Sequence, residues 1–444
     1  MDPRLITKYD RPGPRYTSYP PVPFWSGRPE QDIWVQDLLE NYDPLMGLDL
    51  YVHIPYCEKL CYYCGCNRTI TKNHTVEGPL LELIMGEWDI YRRLLGTVPK
   101  INSLHFGGGT PTFLNSKNLE TLIRHLSSER TLEFIGSIEL DPRTCTQDHL
   151  KVLAETEVTR VSIGVQDFSP KVQEAINRIQ PVKMVKDLVD SLRAMSFKSI
   201  NMDLIYGLPL QDLDTITTTM KTVAEMRPDL IAFYGYAHLP EKIKNQRLIN
   251  ETHLPSPLLR RSLYEKGKEL LALAGYDDIG LDHFALPGSH LYEAKQDGKL
   301  HRNFMGYVDK KSPVLLGLGP TSISNSSKSF AQNAKDIKEY AALISSGLLP
   351  LAHGHSHSAE DLEAQEVILG LMCEGRTRIK KHKLPSWENI EAELLEFQAD
   401  GIITLENDVV AMTTTGQGLV RNVAMTFDHH LRMKSKETRF SQTV

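Results

Sequence analysis

Four of the six cysteines in this 444-residue chain, Cys57, Cys61, Cys64 and Cys66, fall within ten residues. The first three have the spacing CxxxCxxC. Three thiolates at that spacing can bind three irons of a cubane cluster and leave the fourth iron open to a ligand. An open iron turns such a cluster from an electron relay into a catalyst. Zinc is the natural competitor, but a structural zinc site wants a closed set of four ligands, usually as two separated pairs, and one short loop suits it poorly. Six cysteines are too few for a disulfide scaffold in a chain this long, and a cytosolic compartment would keep them reduced. Cys145 and Cys373 have no metal-ligand spacing and read as core or helix residues.

Other residues with chemical potential follow short apolar runs. Gly107, Gly108 and Gly109 come directly after INSLHF, where missing side chains let backbone approach a ligand, and Thr110 adds a hydroxyl. This is not the GxGxxG dinucleotide fingerprint, and by itself it also fits a tight turn ended by Pro111. Glu139 closes SIELD as an acceptor suited to ribose hydroxyls, or as an ion-pair partner beside Asp141 and Arg143. Gln166 and Asp203 stand at or within strand ends. Arg178, inside AINRIQ, has the setting of a solvated helix residue. His53, His105 and His238 sit beside strand ends, as ordering groups or as satisfied structural histidines. His353, His355 and His357 alternate in LAHGHSH but are assigned to a loop, before a helix whose capping box is Ser358 and Asp361.

The elements that must position these groups alternate. Six β-branched runs, 48–54, 101–108, 136–141, 158–166, 198–207 and 229–237, are separated by helical patterns. Near-continuous apolar strands between helices predict an α/β fold with a parallel sheet covered on both faces, a complete or partial (β/α) barrel. A doubly wound open sheet is the alternative. The runs DDIGLDHFA and VLLGLGPTS could extend the sheet, although their glycines weaken both assignments. In a barrel, the cysteines just past the first strand lie on the active face.

Before this region, Pro12, Pro14, Pro20, Pro21 and Pro23 predict an extended arm. A short helix follows Pro29, with Ile33, Trp34, Leu38 and Leu39 on one side. After it, a helix from Ser386 to Asp400, the strands IITLE and VVAMT around Asn407-Asp408, and a final helix capped by Thr415 resemble a winged-helix domain. The expected division is an arm and short helix over 1–45, a barrel domain over 46–330 and a small, mainly helical domain over 331–444.

Composition limits the partners. A net charge of −6 and a pI near 6.3 provide no basic field for nucleic acid, and the last segment shows no Lys/Arg-rich recognition helix. The N-terminus lacks the apolar stretch of a signal peptide, and no apolar run is long enough to span a bilayer, which places the protein in the cytoplasm.

The cysteine motif after a first barrel strand resembles the radical S-adenosylmethionine (SAM) superfamily. YVHIPYCEKLCYYCGCN, LHFGGGTPTFL, SIELDPR, IGVQDF, MDLIYGLP, YAHLP, DHFA, LHRNFMGY, the arm PRYTSYPP and FDHHLR together resemble the oxygen-independent coproporphyrinogen III oxidases (dehydrogenases), from about residue 11 onward. The resemblance implies one 4Fe-4S cluster on Cys57, Cys61 and Cys64, and two molecules of SAM. Tyr51, Gly108, Glu139 and Ile323 would touch the first SAM. Tyr63, Gly109, Thr110, Gln166, Arg178, Asp203 and Ala237 would touch the second. Cys66 and Tyr51 are the catalytic candidates. Cys66 is not counted as an iron ligand, and related haem chaperones usually lack a cysteine at its place.

The implied activity converts two propionates of coproporphyrinogen III to vinyl groups. A separate electron donor and electron acceptor, both unidentified, are expected, and the protein is expected to be a monomer. Arg15 and Arg302 are the candidate cations for substrate carboxylates. A radical SAM haem chaperone, a radical SAM methylase or cyclopropanase, and a non-enzymatic zinc or DNA-binding protein are the competing readings.

Overall fold

In the computed structural model, which describes residues 3–25, 27–433, 440, 442 and 443, the apolar runs become parallel strands. These are β1 (Leu48–Ile54), β2 (Ile101–Gly108), β3 (Arg130–Leu140), β4 (Val158–Gln166), β5 (Ser199–Tyr206), β6 (Leu230–Gly235) and β7 (Leu315–Leu318). They lie in the order β7-β1-β2-β3-β4-β5-β6, with every neighbouring pair parallel. β1 is buried at all seven positions, the pattern of a strand covered on both faces.

Helices Glu77–Leu95, Ser116–Leu126, Gln147–Glu155, Val182–Ala194, Leu213–Met226 and Pro257–Leu273 alternate with the strands. Ser116–Leu126 shows why: Leu119, Leu122, Ile123 and Leu126 are buried along one face, and the Asn115 side chain caps its start by accepting from Asn118 N.

Because sequential strands are neighbours from β1 to β6, the sheet is singly wound. A doubly wound sheet would reverse its order at an internal strand. β7 pairs with β1 and not with β6, so of the two barrel forms the partial one is present. Beyond β7 the sheet continues through β8 (Ile323–Asn325), antiparallel to β7, and β9 (Ser329–Asn333), antiparallel to β8, and then β10 (Leu351–Ser356). His353 and His355 therefore lie on a strand and not in a loop. The 136–141 run begins earlier, at Arg130, and ends at Leu140, which leaves Asp141 in the turn that follows.

Contacts divide the chain into two compact units. One is Gly27–Tyr276 with Ser312–Gly354; the other is the chain up to residue 25, Asp277–Lys311, and His355 onward. These units differ from the continuous segments 1–45, 46–330 and 331–444, whose outermost residues lie outside the described ones. Helix Gln31–Asn41 joins the sheet unit because Trp34 donates to Tyr91 Oη at 3.3 Å and Asp37 accepts from Ser326 and Ser329. Only Trp34 and Leu38 of its four expected apolar residues are buried; Ile33 and Leu39 are exposed.

In the other unit, DDIGLDHFA folds as an antiparallel hairpin, Asp277–Gly280 against His283–Ala285, with Gly280 and Leu281 at positive φ. Arg376–Arg378, Ile403–Glu406 and Val409–Met412 form a three-stranded antiparallel sheet. Its Asn407-Asp408 turn has both φ values positive, 51° and 63°, as a tight hairpin requires. The last part of this segment starts with a 3-10 turn, Gln417–Leu419. Thr413, not Thr415, accepts the Gly416 amide at 3.0 Å. Tyr9, Tyr16 and Tyr19 of the first segment are buried in the same core as Leu371, Leu394 and Phe397. The arm is extended only after a helix, Pro3–Tyr9. Cys373 is buried in helix Ala359–Glu374, whereas Cys145 stands in a loop. No helix among the described residues is long and apolar enough to cross a membrane.

Glu87 ties helix Glu77–Leu95 to the segment after β7. Its carboxylate accepts from Gly319 N at 2.8 Å, Asn333 Nδ2 at 2.6 Å and Tyr340 Oη at 2.5 Å. Burial nevertheless pushes its carboxyl from 4.5 up to about 7. The folded chain then binds more protons than the unfolded chain across that window, so this group's stabilisation is lost as pH rises through it. Glu87→Gln is expected to cost about 1–3 kcal/mol at pH 5, because the amide NH2 accepts nothing, whereas both oxygens of the protonated carboxyl still accept from the three groups around it. The gap from the parent chain should narrow by more than about 1 kcal/mol at pH 7.5, read from denaturation midpoints at the two pH values.

Candidate active site

The cysteine loop leaves β1 through Pro55 and is closed at its base by a parallel pairing of Tyr56–Cys57 with Thr69–Ile70. Its backbone is held by side-chain amides from distant segments. Asn245 Nδ2 donates to the carbonyl oxygens of Cys61 (3.2 Å), Tyr62 (2.8 Å) and Cys64 (3.0 Å). Asn177 Nδ2 donates to Leu60 O at 2.7 Å. Gln246 Nε2 bridges Tyr63 O at 2.9 Å and Ala237 O at 3.0 Å. Asn245 and Gln246 were not legible as site residues, since KNQR has the composition of an ordinary surface turn.

The sulfurs of Cys57 and Cys61 receive hydrogen bonds from other residues and form no disulfide. All six cysteines are free thiols. Thr110 Oγ1 donates to Cys57 Sγ at 3.2 Å. Arg143 Nη2 and Arg178 Nη1 reach Cys61 Sγ at 3.5 and 3.6 Å. Burial pushes the Cys57 thiol up to about 11, against the Thr110 bond. A hydrogen bond with Cys66 holds the Cys64 thiol below its usual range and raises Cys66 correspondingly.

Both arginines are fixed by one carboxylate. Asp141 accepts from Arg143 at 2.6 Å and from Arg178 at 3.3 Å. Burial disfavours its charge, but Arg178 and Arg143 hold the carboxyl well below its usual range. Arg178 is therefore not a solvated helix residue. It lies just past helix Pro170–Ala175, 7% exposed, with Nη2 donating to Gly164 O at 2.6 Å. A Cβ on Gly164 would stand 2.8 Å from that Nη2, so only glycine admits the guanidinium here.

The remaining predicted residues of the sheet collect at the C-terminal strand ends, where a parallel barrel builds its sites. Gln166 is buried at φ 68°, where a register shift against β5 turns it out of alternation. Asp203 Oδ2 accepts from Ser162 Oγ at 2.9 Å and Oδ1 from Asn201 Nδ2 at 2.8 Å. Burial, then the nearby Glu139 charge, pushes its carboxyl up to about 6. Tyr51 stacks on His105 at 5.8 Å between centroids and shares a hydrogen bond with His53 Nδ1 at 3.2 Å.

Glu139 lies 3.7 Å from His105 Nε2, not on Arg143. The space a Gly107 side chain would fill holds Glu139 Oε1, 2.8 Å from the would-be Cβ, and the Tyr51 ring at 3.1 Å. At Gly108, φ 111°, it holds the His53 imidazole, and at Gly109 the carbonyls of Ile54 and Tyr56. The triple glycine thus lets β1, β2 and β3 meet closely. Ile323, on β8, packs its backbone against Gly317, which pairs with Tyr51.

His238 is bound to Tyr236 Oη and Glu251, a satisfied structural histidine. Arg15 and Arg302 belong to the other unit. Arg15 pairs with Asp282. Arg302 is 4% exposed, stacks on the Tyr307 ring at 4.7 Å, and keeps Nε and Nη1 buried with no hydrogen-bond partner among the described residues.

Comparison with known proteins matches residues 51–223 to the radical SAM superfamily. The oxygen-independent coproporphyrinogen III oxidase of Pseudomonas aeruginosa is 38% identical, over 100% of this chain and 98% of that protein. The Escherichia coli enzyme of the same name is 36% identical, over 99% and 98%. A solved structure of coproporphyrinogen III oxidase from Escherichia coli superposes with a TM-score of 0.89 and 34% identity, covering 97% of this chain and 99% of that one.

The chain belongs to the oxygen-independent coproporphyrinogen III oxidase family.

Membership in this radical SAM family implies a 4Fe-4S cluster and SAM. The residues present fit the cluster: three thiols on one short loop, each a single ligand, with two buried guanidinium groups to offset sulfur charge. Cys57, Cys61 and Cys64 would hold it. Replacing any one of them by alanine is expected to remove most of the roughly four irons and labile sulfides per chain after anaerobic purification. Cys66→Ala is expected to retain them, as measured by iron and sulfide analysis.

Proposed function

We infer that this chain catalyses the oxygen-independent oxidative decarboxylation of two propionate side chains of coproporphyrinogen III, giving protoporphyrinogen IX in haem biosynthesis. The carrying observation is the CxxxCxxC loop at the end of β1, with Arg143 and Arg178 beside Cys61, in a chain that aligns over its whole length with enzymes of that name. When bound, the cluster and SAM supply a 5'-deoxyadenosyl radical by one-electron reduction and cleavage of the sulfonium. Each propionate then gives up one hydrogen atom, CO2 and one electron to become a vinyl group, and the last electron leaves to an acceptor.

The protein's own part is binding, orientation and charge. Thr110, Arg143 and Arg178 support the sulfur charges of the loop. Glu139, held beside Gly107 and His105, is the acceptor for the hydroxyls of a SAM ribose, with Tyr51, Gly108 and Ile323 around it. A second SAM molecule is assigned to Tyr63, Gly109, Thr110, Gln166, Arg178, Asp203 and Ala237. In support, Gln246 clamps Tyr63 to Ala237, and Gln166 and Arg178 both flank Gly164. Cys66, beside Cys64 but outside the ligand set, is the candidate to hold or give a proton, and Tyr51, packed against His53 and His105, the candidate to orient SAM. Arg302, a buried fork with two unused donor atoms, is the partner for a substrate carboxylate.

Reduced protein incubated anaerobically with SAM and coproporphyrinogen III should form protoporphyrinogen IX, detected by mass. SAM cleavage with no porphyrin product would sink the substrate assignment. Arg302→Leu is expected to raise KM for the porphyrinogen by about tenfold or more, while SAM cleavage in its absence is unchanged.

A further inference from the structure

Three histidines absent from any role above point the same ring atom at one carboxylate. His355 Nε2 lies 2.9 Å from Asp361 Oδ2. His430 Nε2 and His429 Nε2 lie 2.6 and 3.2 Å from Asp361 Oδ1. The donor atoms of His355, Asp361 and His430 are all within 4.8 Å of one another. The Asp361 side chain is 3% exposed and the three imidazoles are 13–23% exposed. All four belong to one compact unit.

We propose that His355, His430 and Asp361 form a binding site for one divalent transition-metal cation of the zinc class, built from two imidazole nitrogens and one carboxylate, with His429 beside the same carboxylate. Imidazole and carboxylate donors suit zinc among the biologically common cations. With metal–donor bonds of about 2.0–2.1 Å, a tetrahedron has edges of roughly 3.3 Å, so ring-to-carboxylate separations of 2.9 Å for His355 and 2.6 Å for His430, in a trio of donors all within 4.8 Å of one another, close on an ion by small side-chain movements.

The donors are also held from behind. Asp361 is locked by the capping box of helix Ala359–Glu374, accepting from Ser358 N at 2.9 Å while its own amide donates to Ser358 Oγ. Tyr19 Oη shares a hydrogen bond with His429 Nδ1 at 2.9 Å, which turns His429 Nε2 toward Asp361 Oδ1 as an outer support of the ligating carboxylate. His430 stacks on Phe24 at 5.9 Å between centroids. Three protein donors leave the fourth position of a tetrahedral ion to water, and the ion would staple the end of strand Leu351–Ser356, the start of helix Ala359–Glu374 and the helix His429–Met433 together.

The rival arrangement has no ion: three neutral rings donate Nε2–H to the carboxylate. Zinc and iron analysis of the cluster-containing protein, equilibrated with micromolar zinc and desalted anaerobically, separates the two. About one zinc per chain is expected beside the irons, with zinc-edge X-ray absorption showing nitrogen and oxygen neighbours at about 2.0–2.1 Å and no sulfur. The double variant His355→Gln/His430→Gln is expected to lose zinc affinity by more than about 100-fold, beyond what loss of an outer support costs, with iron content unchanged. No retained zinc, a sulfur neighbour at about 2.3 Å, or undiminished zinc in the double variant overturns the proposal. Should the double variant not fold, the absorption spectrum of the parent protein decides alone.

Discussion

Thiolates holding an iron–sulfur cluster would need cations at hand, and in the sheet unit Arg143 and Arg178 stand beside Cys61. At an effective dielectric of about 20, unit charges 4 Å apart interact by about 4 kcal/mol, several times the net worth of an ordinary hydrogen bond. Arg143 and Arg178 therefore decide where charge can reside near Cys61. Two buried guanidinium groups would themselves be costly without a counter-charge, and Asp141, kept ionised by both, supplies it. The chain of dependence runs further back, from Arg178 to Gly164, whose missing side chain makes room for the fork.

Electrostatics alone would not keep the loop in shape. Its carbonyl oxygens, which regular secondary structure would otherwise satisfy, are taken by Asn245, Gln246 and Asn177. A ligand constellation held by rigid neighbours stays near its working geometry without reorganising when the ligand arrives. The same logic explains the triple glycine: it leaves room for Glu139 and the Tyr51 ring beside Gly107 and for the His53 imidazole beside Gly108. Its open conformations matter mainly at Gly108, where φ is 111°.

The second unit carries its own buried polar network. Arg302 stacked on Tyr307 and the imidazoles around Asp361 are expensive groups to bury, and neither is explained by packing. Both lie among residues far apart in the chain, held by a core that draws Tyr9, Tyr16 and Tyr19 into contact with Leu371 and Phe397.

Local features were legible from order and spacing alone. The runs 48–54, 101–108 and 158–166 have the bounds of the strands that form there, because a strand buried on both faces must be apolar nearly throughout. The cysteine spacing pointed to its chemistry because thiolate ligation is set by residue type and short range. What depended on long-range packing was not legible. Arg178 looked solvated because nothing nearby in sequence announces Asp141 or Gly164 as its partners. Asn245 and Gln246 carried no signal, since an amide's role is set by whichever carbonyl it meets. His355 was assigned to a loop and Asp361 to a cap, yet they join His429 and His430 only when segments about 70 residues apart come together. Sequence thus determined most of the parallel strands, the cysteine spacing and the family; tertiary structure decided the charge balance, the loop's anchoring and the unit boundaries, because those arise from contacts between groups with no fixed separation along the chain.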